Sequence, residues 1–427
     1  MEKLIIQGGK RLVGDVMVSG GKNPALAILP GTLLCDEPCT VENLPVVRDI
    51  QVMLDILESL GAKVTREGTR VTVDPRPAGC HVVPEAHAQR IRASTYFLGV
   101  LLGRFGRAEV AFPGGCAIGE RPIDQHLKGL QILGADIGVE DNGVLKAKVD
   151  GRLRGREIYL DMASVGATIN LILAGVKAEG VTTIVNAAKE PHVVDLANFL
   201  NSMGASIKGA GTDTIRIRGV QWLHGCTYSV IPDQIEAGTW MVIAAATQGD
   251  LTIHRVIPPH LEAISAKLVE MGADVTEGDD WVRVRAEGRP RSANIKTLFY
   301  PGFPTDMQQP MSVLLSTAQG VSIVTETIFE GRYTHINQLR RMGARIRVED
   351  RVAVIEGVPA LHGAPVAAND LRAGAALVVA GLMAGGETSI RNVKYIDRGY
   401  EDLVGKLQAL GADIRREWTD EEDDDLL

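Results

Sequence analysis

Aromatic residues are scarce in this chain: Phe, Trp and Tyr make up 4% of its 427 positions. Its cores must therefore rest on aliphatic side chains, with few rings available for stacking. Long apolar runs are missing as well. The longest, such as 376–383, stop far short of the roughly 20 residues that cross a bilayer, so no membrane partner is expected. The opening Met1-Glu2-Lys3-Leu4-Ile5-Ile6-Gln7 turns polar before any signal-peptide core develops, and a cytoplasmic location is expected. Five cysteines (Cys35, Cys39, Cys80, Cys116 and Cys226) are an odd number in a long chain, which argues against a disulfide framework. No Cys/His spacing resembles a structural zinc site, so no metal is expected. A basic excess is also lacking. The net charge is −8, and acidic residues at 420–425 supply six of those charges. Such a block reads as a solvating, disordered tail, and the near-neutral remainder argues against nucleic acid as a partner.

Glycine, by contrast, is abundant at 47 residues, and part of it is periodic. The triplet Leu/Met-Gly-Ala recurs six times, with glycines at Gly61, Gly134, Gly204, Gly272, Gly343 and Gly411. Their separations are 73, 70, 68, 71 and 68 residues, the signature of an internal repeat. Before each glycine runs an amphipathic helical pattern, as in Leu261, Ile264, Leu268 and Met271, and the glycine suits the left-handed position that ends a helix. A strand, a polar turn and a second strand follow, as in 273–276, 278–280 and 281–285. Each of the six repeats also holds an earlier helix that is apolar nearly all round, for example at 96–102, 169–176, 240–246, 311–317 and 376–383. A helix apolar over most of its circumference is buried. The expected unit is thus about 70 residues, two helices with about four strands, the apolar helix inside. At 427 residues, two domains are predicted, each closing three units into an inside-out α/β barrel. The predicted boundaries are 22–230 for the first, and 1–21 with 231–427 for the second, 419–427 being the tail.

Polar residues collect where the buried helices begin: Gly20-Gly21-Lys22-Asn23, Arg92-Ala93-Ser94-Thr95, Ser164-Val165-Gly166-Ala167-Thr168, Asp233-Gln234-Ile235-Glu236, Thr305-Asp306-Met307-Gln308 and Leu371-Arg372-Ala373-Gly374. Unpaired N–H groups and the positive end of the helix dipole favour phosphate or carboxylate there. Ordinary capping is the simpler role for Thr95 and Thr168. It explains Lys22, Arg92 and Arg372 poorly, because a cation at a helix N-terminus needs an anion beside it. The Gly20-Gly21-Lys22-Asn23 segment is not a nucleotide-triphosphate loop, since Asn23 replaces the required Ser or Thr and the leading glycine is missing.

Cys116 stands apart from the other cysteines, which suit small buried hydrophobes. It lies in Pro113-Gly114-Gly115-Cys116-Ala117-Ile118-Gly119-Glu120-Arg121-Pro122-Ile123-Asp124-Gln125-His126, a glycine-rich loop with Arg121 close by, which favours a reactive thiol. A Cys116–His126 hydrolase pair is a weaker alternative, without a nucleophile-elbow context.

These motifs, with Phe303-Pro304-Thr305-Asp306-Met307-Gln308, Asp370-Leu371-Arg372-Ala373 and Asp397-Arg398-Gly399-Tyr400-Glu401, resemble the UDP-N-acetylglucosamine 1-carboxyvinyltransferase family, the MurA enzymes. The resemblance covers nearly the whole chain. It implies two inside-out α/β barrels with the active site in the cleft between them, and no cofactor. It also implies transfer of the enolpyruvyl group of phosphoenolpyruvate to the 3′-hydroxyl of UDP-N-acetylglucosamine, the first committed step of peptidoglycan synthesis. Carried over by motif, Asp306 handles the hydroxyl proton and Cys116 acts as general acid at the methylene carbon and can form a covalent adduct. Lys22, Arg121 and Arg398 hold phosphoenolpyruvate, with Arg332 and Arg372 as further cations. Asn23, Arg92, Arg121, Pro122, Ile123, Asp124, Gln125, Ser164, Val165, Asp306 and Ile328 contact the nucleotide sugar. Two departures stand out: Met162 where some relatives carry Lys, and Glu120 where relatives often have a small residue. The rival expectations are the related shikimate 3-phosphate transferase, which lacks the Gly-Gly-Cys-Ala-Ile-Gly loop, and a catalytically silent UDP-sugar-binding paralogue.

Overall fold

The computed structural model describes residues 2–113, 122–141 and 143–418. These fall into two compact units, one of residues 20–113 and 122–231, the other of 2–19 and 232–418. Each has its own continuous apolar core, as expected once a chain outgrows a single hydrophobic interior.

In the first unit the helices are α1 (Lys22–Gly31), α2 (Arg48–Ser59), the single turn α3 (Glu85–Ala88), α4 (Tyr96–Phe105), α5 (Asp124–Ile132), α6 (Val165–Gly175) and α7 (Pro191–Ser202). In the second they are α8 (Gln234–Ala246), α9 (Glu262–Glu270), α10 (Gln308–Leu315), α11 (Ile336–Arg341), α12 (Leu371–Met383) and α13 (Leu403–Ala409). The apolar helices α1, α4 and α6 lie inside the first unit, and α8, α10 and α12 inside the second. In α12 every residue from Leu371 to Leu382 is buried. Within the second unit these three helices pack against one another pairwise; in the first, α4 packs on both α1 and α6. Full burial of each Leu, Ile or Val side chain contributes about 1.5–3 kcal/mol, which is why the helices with no polar face take the interior.

Around them stand six four-stranded sheets, three to a unit. The pattern repeats. In one sheet Val82–Val83 runs parallel to Arg107–Ala111, which pairs antiparallel with Val144–Lys148, and that with Asp136–Val139. Two sheets depend on distant chain segments. Thr227–Ser229, at the end of the first unit, runs parallel to Cys39–Glu42 at its beginning and closes the ring of repeats. In the second unit Val13–Met17 pairs with Asp250–His254, and Glu2–Gln7 lies between Glu387–Arg391 and Asp413–Trp418. The sixth repeat is thus completed by the start of the chain.

All six repeat glycines take a left-handed conformation, with φ between 95° and 101°. In each case the N–H of the following alanine donates to the carbonyl five residues back, as from Ala62 to Leu57 (3.1 Å) and Ala273 to Leu268 (2.9 Å). The glycine N–H donates three residues back. This pair of bonds ends the helix and turns the chain into the next strand.

Candidate active site

Within the second unit the turn Thr305–Met307 opens α10, and the Asp306 carboxylate is gripped by two arginines. Arg332 reaches Oδ1 at 2.5 Å, while Arg372 reaches Oδ2 through Nη2 at 3.0 Å and Nε at 3.1 Å. Both guanidinium side chains are about 5% exposed or less, whereas that of Asp306 is 25% exposed. Each arginine also lies over an aromatic ring, Arg332 over Phe329 and Arg372 over Tyr400. Among the described residues, no side chain caps this turn. The Asp306 carboxylate spends its hydrogen bonds on guanidinium groups instead.

Asp370 caps α12, accepting from the N–H groups of Arg372 and Ala373, and so fixes the helix start that carries Arg372. Its other oxygen accepts from Thr334 and Gln309. Arg372 also donates to the Tyr400 hydroxyl at 3.1 Å, and Tyr400 bonds Thr239 of α8 at 2.9 Å. Burial would lower the Arg372 pKa, but the charge of Asp306 and contact with Tyr400 outweigh it and raise it. Burial pushes the Tyr400 hydroxyl up, against the pull of Arg372. His335, fully buried, is brought down to about 4 by burial, with Arg332 adding to the effect and Asp370 opposing it. It therefore stays neutral at ordinary pH. Arg398 ends the 3₁₀ turn Val393–Arg398, which packs on α12. Arg416 holds the neighbouring Asp397 through both nitrogens, at 3.2 and 2.6 Å.

Glu326 was missed by the motif search. It is fully buried and, among the described residues, accepts from neutral donors: Thr305 (2.8 Å), Thr297 (2.8 Å), and the N–H groups of Ile328 (2.8 Å) and Phe329 (3.2 Å). Thr305 in turn accepts from Arg332 at 3.2 Å. One carboxylate thus fixes both the turn carrying Asp306 and the turn carrying Ile328. A signal was available: Ser322, Val324 and Glu326 share the inward parity of the strand Val321–Thr325.

In the first unit Lys22 Nζ pairs with Asp49 Oδ2 at 3.1 Å, and both are buried. The anion that a cation at this helix start requires is thus a protein carboxylate, one the motifs did not indicate. Asn23 follows on α1, half-buried. Arg92 donates to the Pro122 carbonyl at 3.4 Å. Ile123 precedes α5, and Asp124 and Gln125 open it. The Gln125 amide donates to Asp124 (2.8 Å) and Asp161 (3.1 Å), and its oxygen accepts from the Asp161 N–H (2.9 Å). Lys128 pairs with the same Asp161 at 2.7 Å and holds its carboxyl low. The loop bearing Met162, itself exposed, is thereby tied to α5. Ser164 caps α6 by accepting from Ala167 N–H at 3.3 Å, with Val165 the first helical residue.

Capping fails at the two threonines. The Thr95 hydroxyl donates back to the Arg92 carbonyl within its own turn, whereas Thr168 Oγ1 accepts from Ala188 N–H and ties a neighbouring segment to α6. His126 is a buried strut: Asn170 meets its Nδ1 at 3.1 Å, bonds the Thr95 carbonyl and accepts from Gly99 N–H. Cys116, Glu120 and Arg121, and the acidic tail, lie outside the described residues.

The family model for EPSP synthase (3-phosphoshikimate 1-carboxyvinyltransferase) matches residues 6–407. UDP-N-acetylglucosamine 1-carboxyvinyltransferase 3 of Caldanaerobacter subterraneus subsp. tengcongensis is 56% identical over 97% of this chain and 99% of its own. The UDP-N-acetylglucosamine 1-carboxyvinyltransferase of Clostridium botulinum is 54% identical over 97% of this chain and 100% of its own. Among solved structures, the enolpyruvyl transferase NikO from Streptomyces tendae superposes with a TM-score of 0.86 at 28% identity, over 97% of this chain and 98% of that one. An EPSP synthase from Acinetobacter baumannii, at 20% identity and TM-score 0.76 over 98% and 100% of the two chains, shares the fold. Likeness of that extent, running through every repeat, makes this chain a member of the UDP-N-acetylglucosamine 1-carboxyvinyltransferase family.

Proposed function

We infer that this chain moves the enolpyruvyl group of phosphoenolpyruvate to the 3′-hydroxyl of UDP-N-acetylglucosamine, releasing phosphate, in the synthesis of peptidoglycan precursors. The observation that carries the inference is identity above one half, over nearly full length, to relatives named for that transfer. The reaction is an addition followed by an elimination. The sugar oxygen bonds to C2 of phosphoenolpyruvate as C3 gains a proton, giving a tetrahedral ketal. Loss of a C3 proton and of phosphate then restores the vinyl group.

Asp306 receives the hydroxyl proton and Cys116 supplies the one added to carbon, a task that needs a positioned acid. Lys22, Arg121 and Arg398 hold the phosphate and carboxylate of phosphoenolpyruvate, helped by Arg332 and Arg372, whose planar forks match such anions. Asn23, Arg92, the segment 121–125, Ser164, Val165 and Ile328 hold the nucleotide sugar. The salt bridges support a coupling between these roles. Asp306 occupies the guanidinium groups of Arg332 and Arg372. An incoming anion that takes over one of them leaves a carboxylate oxygen of Asp306 open to the hydroxyl proton. The same reading places the enzyme in the cytoplasm and makes Cys116 the target of fosfomycin.

Fosfomycin labelling with peptide mapping tests this directly. The expected label lies on Cys116 and forms faster with UDP-N-acetylglucosamine bound, because sugar binding organises the anion site. A label on Cys35, Cys39, Cys80 or Cys226, or none at all, contradicts the reading.

A further inference from the structure

Three of the four cysteines outside the proposed chemistry meet where the first unit closes its ring of repeats. Cys39 begins the strand Cys39–Glu42 and Cys226 immediately precedes Thr227–Ser229. The two strands are parallel, with Thr40 opposite Thr227 and Val41 opposite Tyr228, so Cys39 and Cys226 are register neighbours. The Thr40 N–H donates to the Cys226 carbonyl at 2.8 Å, which holds that register up to the cysteines. Side chains of register neighbours point to the same side of a sheet. Here that side is inward: Cys39 and Val41 are buried, and Tyr228 packs on the core. Adjacent strands lie about 4.8 Å apart, within the roughly 4.4–6.8 Å that a disulfide needs between α-carbons. Cys35 adds a third sulfur, 3.6 Å from that of Cys39.

The members differ in access and in charge. Cys35 and Cys39 are buried, whereas Cys226 is partly exposed. Cys226 Sγ accepts from the Ser202 hydroxyl at 3.4 Å, and His224 lies nearby. The neighbouring Cys39 thiol, with the hydrogen bond from Ser202, outweighs burial and brings the Cys226 thiol down to about 6, while Cys39 is raised beside Cys226. On the far side, the Cys35 thiol faces the carbonyls of Thr32 and Glu37, and Arg104 donates to the Cys35 carbonyl. Among the described residues no group of three or more His, Cys, Asp and Glu is arranged to hold a metal ion.

We propose that the cluster is a peroxide-reactive modification site in which Cys226 is oxidised first and Cys39 resolves it to a disulfide. The Cys226 thiolate attacks one oxygen of hydrogen peroxide, breaking the O–O bond and releasing hydroxide, and becomes a sulfenic acid. The Cys39 sulfur then displaces the sulfenic hydroxyl. Its own proton leaves with that group as water, and the S–S bond forms. Two thiols are oxidised and one peroxide is reduced to two waters in all. The product staples the first and last strands of the unit's ring, and a dithiol reductant reverses it.

The test treats the reduced full-length chain with hydrogen peroxide, blocks remaining thiols and maps peptides without reduction. The expected result is a linked pair joining the Cys39 and Cys226 peptides, lost after dithiothreitol and absent in Cys226→Ser. In Cys39→Ser, dimedone should trap a sulfenic acid on Cys226, because its resolving partner is gone. The proposal is overturned if Cys226 proceeds to sulfinic acid without linking. It is equally overturned if Cys226 stays reduced, or if the only link joins Cys35 to Cys39 and persists in Cys226→Ser.

Discussion

Asp306→Asn removes one negative charge from between two buried guanidinium groups, and its consequences separate catalysis from binding. Turnover should fall by roughly two to four decades, the range for a residue that moves a proton in the transition state. Phosphoenolpyruvate should bind several-fold more tightly, because Arg332 and Arg372 no longer have a protein carboxylate competing for them. Stability should fall by on the order of 2–3 kcal/mol as one partner of a largely buried pair is lost. Steady-state kinetics, phosphoenolpyruvate titration and a melting curve check all three. Weaker anion binding with near-normal turnover would rule out this role. Glu326→Gln is the companion change. The Thr305 hydroxyl now donates to Glu326 and accepts from Arg332, whereas an amide NH₂ at that position gives it two donors and no acceptor. We expect kcat to drop about tenfold, equivalent to ~1.4 kcal/mol, with little change in KM. Adding Thr305→Val should cost nothing further, since both changes break the same link. Additive losses would mean that Glu326 only supports the fold. At this scale the motifs singled out Asp306 and Arg372, the family resemblance added Arg332, and strand parity could have pointed to Glu326. Asp49 was illegible, because nothing in the pattern of α2 says that its first turn meets Lys22.

Helix endings were the most legible elements. The six glycines were predicted left-handed from the triplet alone, and all six are, because glycine takes that conformation at no steric cost. Two substitutions show what each kind of glycine does. A methyl group added at Gly134 meets nothing within 4 Å, so Gly134→Ala should cost only the conformational penalty, about 1 kcal/mol. At Gly99 the added carbon would collide with the Asn170 carbonyl oxygen, in the contact between α4 and α6. Gly99→Ala should therefore destabilise by on the order of 3 kcal/mol or more, through forced separation of two buried helices. Chemical denaturation of both variants checks this, and equal losses would contradict it. Helix starts were less legible than helix ends. Ser164 and Asp370 cap as residue type suggests, but the Thr95 hydroxyl bonds back within its own turn, and Thr168 meets Ala188, in a segment of which the local sequence holds no record.

For the whole molecule, six spaced triplets and six apolar helices implied the layering of buried helices inside sheets, which the two cores and six sheets display. The pairings of Glu2–Gln7 and Val13–Met17 with strands more than 200 residues away rest on tertiary closure, of which strand patterns carry little trace. Membership of the family follows from likeness along the entire chain. The choice of acceptor is the central claim, since the shared fold also serves EPSP synthases. Phosphate release from phosphoenolpyruvate, measured with UDP-N-acetylglucosamine and with shikimate 3-phosphate in parallel, addresses it most directly. Release is expected with the nucleotide sugar and none above background with the shikimate ester; release with the shikimate ester alone would contradict the assignment.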